Sequence, residues 1–197
     1  MKKLLIAASL TLGISTGIAQ MPAQAKTTTY YQTKLTSASG KNYTVALKSS
    51  NVKKKIADDG DMWAGVDIGD HLYRGSFQFY MNGKKTSYKS NVEYNKTRKN
   101  FYKVNTKTGT PSFLAISDTQ TINLEHIRLY YVYNGTLRKL NRTFSATIKP
   151  KYHAKNIIKI TFYSNVTTKW YIDYYKINPE TGGSKHLKTD TVKKRPW

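Results

Sequence analysis

The stretch Ile158-Lys159-Ile160-Thr161-Phe162 alternates apolar and polar side chains with a period of two residues. Successive side chains of a β-strand point to opposite faces, so this pattern predicts a strand with one buried and one solvated face. The same alternation occurs at residues 43–47, 77–81 and 144–148, and the odd positions of residues 127–133 form one face of another strand. Sixteen Tyr and many Thr, Val and Ile also favour strands. We therefore expect an all-β protein.

Turn residues separate these alternating stretches. Asn82-Gly83 and Asn134-Gly135 each lie between two extended segments, which is typical of a two-residue β-hairpin turn. Residues 108–111 and 178–183 contain Gly and Pro and are expected to be loops. About ten antiparallel strands cannot stay in one flat sheet. They are expected to stack as an antiparallel β-sandwich, of which the jelly roll is one form.

The first 25 residues have the three parts of a secretory signal peptide. Residues 2–3 are basic, residues 4–19 form a mostly apolar run without charge, and Ala23-Gln24-Ala25 gives a small-residue cleavage pattern. We expect cleavage after this pattern and export of residues 26–197 as a single β-sandwich domain. The sequence thus predicts an extracellular, secreted protein.

The charge of the chain indicates which partners are plausible. It carries 33 Lys and Arg against 11 Asp and Glu, a formal net charge of +22. Such a charge attracts polyanions, here wall teichoic acid, anionic membrane surfaces, nucleic acid or acidic polysaccharide, and favours electrostatic retention at the cell wall. A basic protein without a dedicated ligand is the simpler alternative. The absence of Cys excludes disulfide scaffolds, thiol catalysis and Cys-ligated zinc.

The end of the sequence is basic and aromatic. Lys193, Lys194 and Arg195 precede Trp197. A basic run with an interfacial aromatic side chain suits contact with anionic lipid or wall polymer. The alternative is a solvated end, and we expect residues before about Tyr30 and after about Lys188 to fray.

Five of the eleven carboxylates lie in the segment DDGDMWAGVDIGD, Asp58 to Asp70. An EF-hand is excluded because Trp63 and Ala64 occupy positions that need an oxygen ligand and a Gly. A different calcium loop would place three oxygen donors around Gly60. Its candidate ligands are Asp58, Asp59 and Asp61.

The competing interpretation of this segment is an acidic turn followed by a strand. Ala64, Val66 and Ile68 would face inward and Asp67 outward. Carboxylates near Asp67 are also the likeliest centre of a hydrolase, although no spacing selects a second carboxylate for it. The four His have no metal-binding spacing and no G-x-S-x-G nucleophile turn occurs, so no catalytic residue is assigned.

The heptapeptide INPETGG, residues 177–183, resembles the LPxTG sorting signal by which sortases join proteins to peptidoglycan. The resemblance implies covalent attachment to the wall. Asn178 stands where that motif has Leu, and the residues after Gly182 contain no apolar span. Pro and consecutive Gly also suit a hairpin turn, which is the expected structure.

Aromatic and basic side chains give the strongest functional indication. In residues 169–176, Trp170, Ile172 and Tyr174 are expected in the core, which leaves the other face of that strand in solvent. Exposed tyrosines can stack on sugar rings or bases, while Lys and Arg hold phosphates. The competing interpretation is cross-strand packing of tyrosines. The predicted ligand-binding residues are Tyr80, Tyr130, Tyr163, Tyr171, Tyr175, Lys169, Lys176 and Arg128.

These observations favour a secreted, non-catalytic protein that binds an anionic or sugar-containing envelope polymer such as teichoic acid or polysaccharide. Two alternatives remain open: a secreted hydrolase of such a polymer, and a membrane-active β protein. No cofactor other than the calcium ion discussed above is expected, and no specific protein partner is inferred.

Overall fold

The computed structural model describes residues 27–61, 66–119 and 124–197. The predicted signal peptide, Trp63 and Ala64 lie outside these residues. The expectation of an all-β fold is confirmed, but the described residues form sixteen strands and not about ten, together with one 3₁₀ turn at Asp59–Asp61. The strands are β1 (Thr28–Thr36), β2 (Asn42–Ser49), β3 (Lys53–Ile56), β4 (His71–Arg74), β5 (Phe77–Met81), β6 (Lys84–Ser90), β7 (Tyr94–Asn95), β8 (Phe101–Val104), β9 (Phe113–Thr119), β10 (Glu125–Tyr133), β11 (Thr136–Lys139), β12 (Phe144–Ala146), β13 (Ile148–Ala154), β14 (Ile157–Ser164), β15 (Lys169–Ile177) and β16 (Ser184–Val192).

The strands form four antiparallel sheets. The front sheet has the order β1-β2-β5-β6, the back sheet β13-β14-β15-β16, and a small sheet β3-β4-β7. The central sheet has the order β11-β10-β9-β8, with β12 also paired to β10. Most paired strands are neighbours in the chain, so the order is that of meanders and not the interleaved order of a jelly roll.

The central sheet is buried on both faces, because the front and back sheets pack on either side of it. On β10, Tyr130 and Val132 belong to the front core, whereas Leu129 and Tyr131 belong to the back core. Residues of opposite parity on a strand point to opposite faces, so a consecutive apolar run serves both cores. The result is a sandwich of three layers.

Each core contains side chains from two facing sheets. The front core includes Leu47, Phe77 and Phe79 of the front sheet, which pack against Leu114 and Ile116 of the central sheet. The back core is formed by the opposite face of the central sheet and by the back sheet. Its members include Phe113, Ala115, Ile127, Phe144, Ile158, Ile160, Tyr175 and Ile177. Burial of these side chains is the main source of stability.

The two Asn-Gly dipeptides form the hairpin turns expected from the sequence. Asn82 and Gly83 have φ angles of 47° and 81°, and Asn134 and Gly135 have 46° and 73°. Two successive positive φ angles are the condition for the type I′ turn that fits the strand twist, and Asn and Gly tolerate them best. These turns join β5 to β6 and β10 to β11.

The strand predicted after the acidic turn is wrong. Residues 66–70 form a turn without strand pairing, and Ile68, expected to face inward, is 60% exposed. Gly69 has a φ of 88°, and its N–H donates to the Ala57 carbonyl oxygen at 2.9 Å. The turn therefore folds back on the end of β3, where Ile68 has no core to enter.

Candidate functional site

The five tyrosines predicted to form a stacking surface lie on four different surfaces. Tyr80 is on the outer face of the front sheet and Tyr130 in the front core. Tyr163 is on the outer face of the back sheet, and Tyr171 and Tyr175 are on the inner face of that sheet. A single stacking face built from these five residues is therefore wrong.

Tyr130 and Tyr175, predicted to be solvated, are only 3% and 8% exposed. The Tyr130 ring centroid lies 4.5 Å from that of Phe79, because the front sheet covers this face of β10. The Tyr175 ring centroid lies 5.0 Å from that of Phe144. Both tyrosines thus pack within the sandwich and do not offer a free ring face to a polymer.

The Lys and Arg residues predicted to bind the ligand also lie apart from one another. Lys169 and Lys176 are exposed near the two ends of β15. Arg128 lies on β10, on the same face as Tyr130, and lines a cleft between the front and central sheets. The structure therefore brings Arg128 and Tyr130 together and places both apart from the lysines.

Cations and aromatic rings do converge on the outer face of the back sheet. Lys159 pairs with Lys151 on one side and Tyr174 on the other, while Tyr163 pairs with Trp170. These residues alternate with Ile158 and Ile160, which enter the back core, so they share the opposite face. We name this surface the outer back face; it comprises the exposed or half-buried residues Lys151, His153, Lys159, Tyr163, Trp170, Lys188, Asp190, Arg195 and Trp197 and the buried residues Thr161, Ile172 and Tyr174.

Four cationic side chains on the outer back face lie over aromatic rings. A cation within about 6 Å of a ring centroid is attracted by the negative face of the ring. Such contacts hold the flexible Lys stems in place while part of each charged head stays in water. The pairs are Lys159 and Lys151 over Trp197 (4.4 and 5.0 Å), Lys188 over Tyr174 (4.6 Å) and Arg195 over Trp170 (5.9 Å).

Residues after Lys188, for which the sequence predicts fraying, continue strand β16 and then reach the outer back face. Strand β16 pairs with β15 as far as Val192. Trp197 is half-buried on the outer back face, and its indole Nε1 is buried without a hydrogen-bond partner in the part of the chain described. The apolar rings and stems of the sheet hold these residues, so the basic run becomes part of a folded surface.

The outer back face carries four Lys and Arg against one Asp, and the back sheet with its flanking residues is strongly positive. Residues 148–197 contain eleven Lys and Arg against three Asp and Glu, a formal excess of eight positive charges. Lys188 Nζ donates to Asp190 at 3.0 Å, and this bond lowers the pKa of the Asp190 carboxyl and raises the pKa of Lys188. Burial raises the pKa of Tyr174. At neutral pH the face thus carries cations between neutral rings, with Lys188 paired to the ionised Asp190.

Two of the three proposed calcium ligands, Asp58 and Asp61, form ion pairs with the same cation, Lys55. Asp61 is buried and its carboxylate lies 2.6 Å from Lys55 Nζ and 3.1 Å from Arg74 Nη2. The Lys55 hydrogen bond lowers the pKa of Asp61 to about 2. Asp58 also contacts Lys55, at 3.2 Å, and Asp59 is exposed. Within residues 27–61, 66–119 and 124–197, no group of three or more acidic or His side chains could hold a metal ion.

The carboxylates near Asp67 are engaged in ion pairs. Asp67 is exposed and pairs with the Arg98 guanidinium. Asp70 is buried and accepts hydrogen bonds from Asn95 Nδ2 at 2.8 Å and Arg98 Nε at 3.1 Å. One guanidinium thus links both carboxylates and fixes the turn, which is the role of a structural ion pair.

The INPETGG segment forms the loop between β15 and β16. The Tyr131 hydroxyl donates to the Pro179 carbonyl oxygen at 2.8 Å, and the Asn141 N–H donates to that of Gly182 at 2.9 Å. Gly182 has a φ of 75°, and a Cβ there would lie 3.1 Å from the Lys139 carbonyl oxygen. The Pro and Gly residues therefore serve a turn that packs on the central sheet, as the sequence predicts.

Several residues of the outer back face were missed from the sequence. Trp170 was assigned to the core but is half-buried on this face, whereas Ile172 and Tyr174 are buried as predicted, and Lys151 and Lys159 were not singled out. The alternation along β14 was a usable signal, because Lys159 must point to the face of the sheet opposite to that of Ile158 and Ile160. Nothing in the sequence indicates that Trp197 returns to this strand.

No protein-family model, curated protein or solved structure matches this chain. None of the described segments forms a helix with the length and hydropathy needed to cross a lipid bilayer. Function must therefore be argued from the geometry of the surfaces.

Proposed function

We propose that this chain is an extracellular, non-catalytic protein that binds an anionic, sugar-containing envelope polymer through the outer back face. The observation that carries the proposal is the set of four cations held over aromatic rings on one sheet face. Phosphate or carboxylate groups along a polymer would contact the charged heads of Lys151, Lys159 and Lys188 as point charges. The polymer class is teichoic acid or acidic polysaccharide.

Aromatic side chains would supply the contact with the sugar units. The ring centroids of Tyr163 and Trp170 are 5.0 Å apart, and both side chains are half-buried. A half-buried ring is held rigid by its neighbours and still offers apolar surface to a sugar, at little cost in side-chain entropy. Cations for the anionic groups and rings for the sugars then lie on the same sheet.

Such binding would also account for retention at the cell wall without covalent attachment. Several weak phosphate contacts give an affinity that falls steeply with salt, because each contact releases counterions. The excess of eight positive charges in residues 148–197 supplies the long-range attraction.

Co-sedimentation with bacterial cell walls tests the proposal. Purified protein is mixed with walls that are intact or stripped of teichoic acid, over about 50 to 500 mM salt, a range that changes charge screening strongly. We expect binding to intact walls that weakens with salt and with stripping. Binding that persists unchanged in stripped walls at high salt would instead indicate a shaped glycan site, and absence of binding to either preparation would refute the proposal.

A further inference from the structure

A second positive site lies between the front and central sheets, away from the outer back face. Residues of β6, of the segment 91–93 and of β9, β10 and β11 line a cleft of about 360 Å³. That volume is within the range of pockets for small ligands. Its charged lining consists of Lys89, Arg128 and Lys139 together with Glu93 and Asp118.

Arg128 is the residue that indicates a ligand. Its Nη1 is buried and has no hydrogen-bond partner among the described residues. Its Nη2 lies 3.9 Å from the Asp118 carboxylate, which is too far for a hydrogen bond. A buried charged donor without an acceptor is costly, so this guanidinium favours an acceptor of opposite charge in the cleft.

The carboxylates of the lining do not fully balance its cations. Glu93 already accepts a hydrogen bond from Arg74, a residue outside the cleft. Asp118 is the other lining carboxylate, so three lining cations stand against two carboxylates. The cleft thus combines a positive charge excess with one guanidinium nitrogen, Arg128 Nη1, that has no hydrogen-bond partner among the described residues.

We propose that this cleft binds a small oxyanion group, a phosphate or carboxylate, with Arg128 as its principal donor and Lys89 and Lys139 as supporting cations. The planar fork of a guanidinium suits two oxygens of one anion, and a lysine adds a point charge. Tyr130 lies beside Arg128 on the same face of β10 and forms part of the lining. The central sheet separates this site from the outer back face, so it stands or falls independently of the proposed polymer binding.

Titration of small anions into the full-length protein, followed through the backbone amide signals of Ser90 and Asn91, tests the site. The probes are inorganic phosphate, glycerol 3-phosphate and glucuronate, at neutral pH and low salt. Saturable shifts with a phosphate probe would indicate a phosphorylated ligand, and saturable shifts with glucuronate alone an acidic sugar. No saturable shift with any probe overturns the proposal.

Substitutions make the test specific to Arg128. Arg128→Lys keeps the charge but removes the fork, and should weaken binding about tenfold or more, the effect of losing one charge-assisted hydrogen bond. Asp118→Asn removes the opposing carboxylate and should tighten binding about threefold. Lys53→Gln, on the small sheet, serves as the control and should change nothing.

Unchanged affinity in Arg128→Lys, or equal loss in Lys53→Gln, would overturn the assignment of the cleft. If Arg128→Lys does not fold, Lys139→Gln and Asp118→Asn still test it, because they must shift the affinity in opposite directions. Both side chains line the cleft.

Discussion

Replacing Lys151 and Lys159 together by Gln should weaken polymer binding and reduce its salt dependence. These two ammonium groups lie 5.0 and 4.4 Å from the Trp197 ring centroid and are half of the four cation–ring pairs on the outer back face. With the coefficient of single-stranded nucleic acids, four phosphate contacts give a log–log salt slope of about −2.8, and two give about −1.4. The wild-type affinity should therefore fall several hundred-fold between about 50 and 500 mM salt, and that of the double variant only about 25-fold.

Isothermal titration with purified teichoic acid at several salt concentrations measures both the affinity and the slope. Lys53→Gln/Lys54→Gln is the matched control, because it removes the same two charges from exposed positions on the small sheet. Loss of net charge alone would affect both double variants equally. Contact at the outer back face would affect only the pair Lys151 and Lys159.

Two results would refute the reasoning. An equal change of slope in both double variants would mean that the polymer senses total charge and no particular surface. An unchanged slope in Lys151→Gln/Lys159→Gln, with both variants folded, would mean that these ammonium groups do not contact the polymer.

Three substitutions test the rest of the structure. The pKa of Asp61 lies at about 2, below its ordinary 3.8, so its stabilising contribution is present above about pH 4 and is lost as the pH falls through about 2; Asp61→Asn should flatten acid-denaturation curves over that range. Leu129→Ala opens a cavity in the back core and should lower the free energy of unfolding by about 2–5 kcal/mol in urea titrations. Gly182→Ala forces a Cβ against the Lys139 carbonyl oxygen at positive φ, and should cost about 1–3 kcal/mol by the same assay, whereas an unchanged midpoint would contradict the tight loop.

Local patterns were enough to predict strands and turns. Alternation in residues 77–81 and 158–162 and the Asn-Gly turn at residues 134–135 depend on neighbours in the chain, and all three are found as predicted. Residues 129–133 carried a further signal that alternation alone does not explain. A consecutive run Leu-Tyr-Tyr-Val-Tyr is typical of a strand covered on both faces, and the third layer of the sandwich follows from it.

The predicted stacking surface was wrong because the alternation of side chains along a strand does not reveal which element packs on each face. The sequence assigned the opposite face of each strand to the core, so Tyr130 and Tyr175 were expected in solvent. In the structure, another sheet packs on the face that carries each of them. In β15 both faces carry aromatic side chains, so the sequence offered no contrast between them. Only the tertiary arrangement shows that Tyr175 enters the back core whereas Trp170 remains half-buried at the surface.

Long-range ion pairs explain why the acidic segment was hard to interpret. Asp61 contacts Arg74, thirteen residues away, and Asp70 contacts Arg98, twenty-eight residues away. Neither separation corresponds to a helix or hairpin repeat, so no local rule predicts the pairing. With these cations in place, the clustered carboxylates form ion pairs that stabilise the small sheet.

The position of these carboxylates also determines how charge is distributed over the whole surface. Six of the eleven carboxylates lie between Asp58 and Glu93, and Lys55, Arg74 and Arg98 pair with five of them. The back sheet and its flanking residues, 148–197, retain only three carboxylates against eleven cations. Since acidic side chains are concentrated around the small sheet, the electrostatic field of the molecule is asymmetric. Under the proposed function, this field would steer a polyanion to the sheet where cations and rings coincide. For the proposed polymer binding, the uneven distribution of a few carboxylates therefore matters more than the net charge itself.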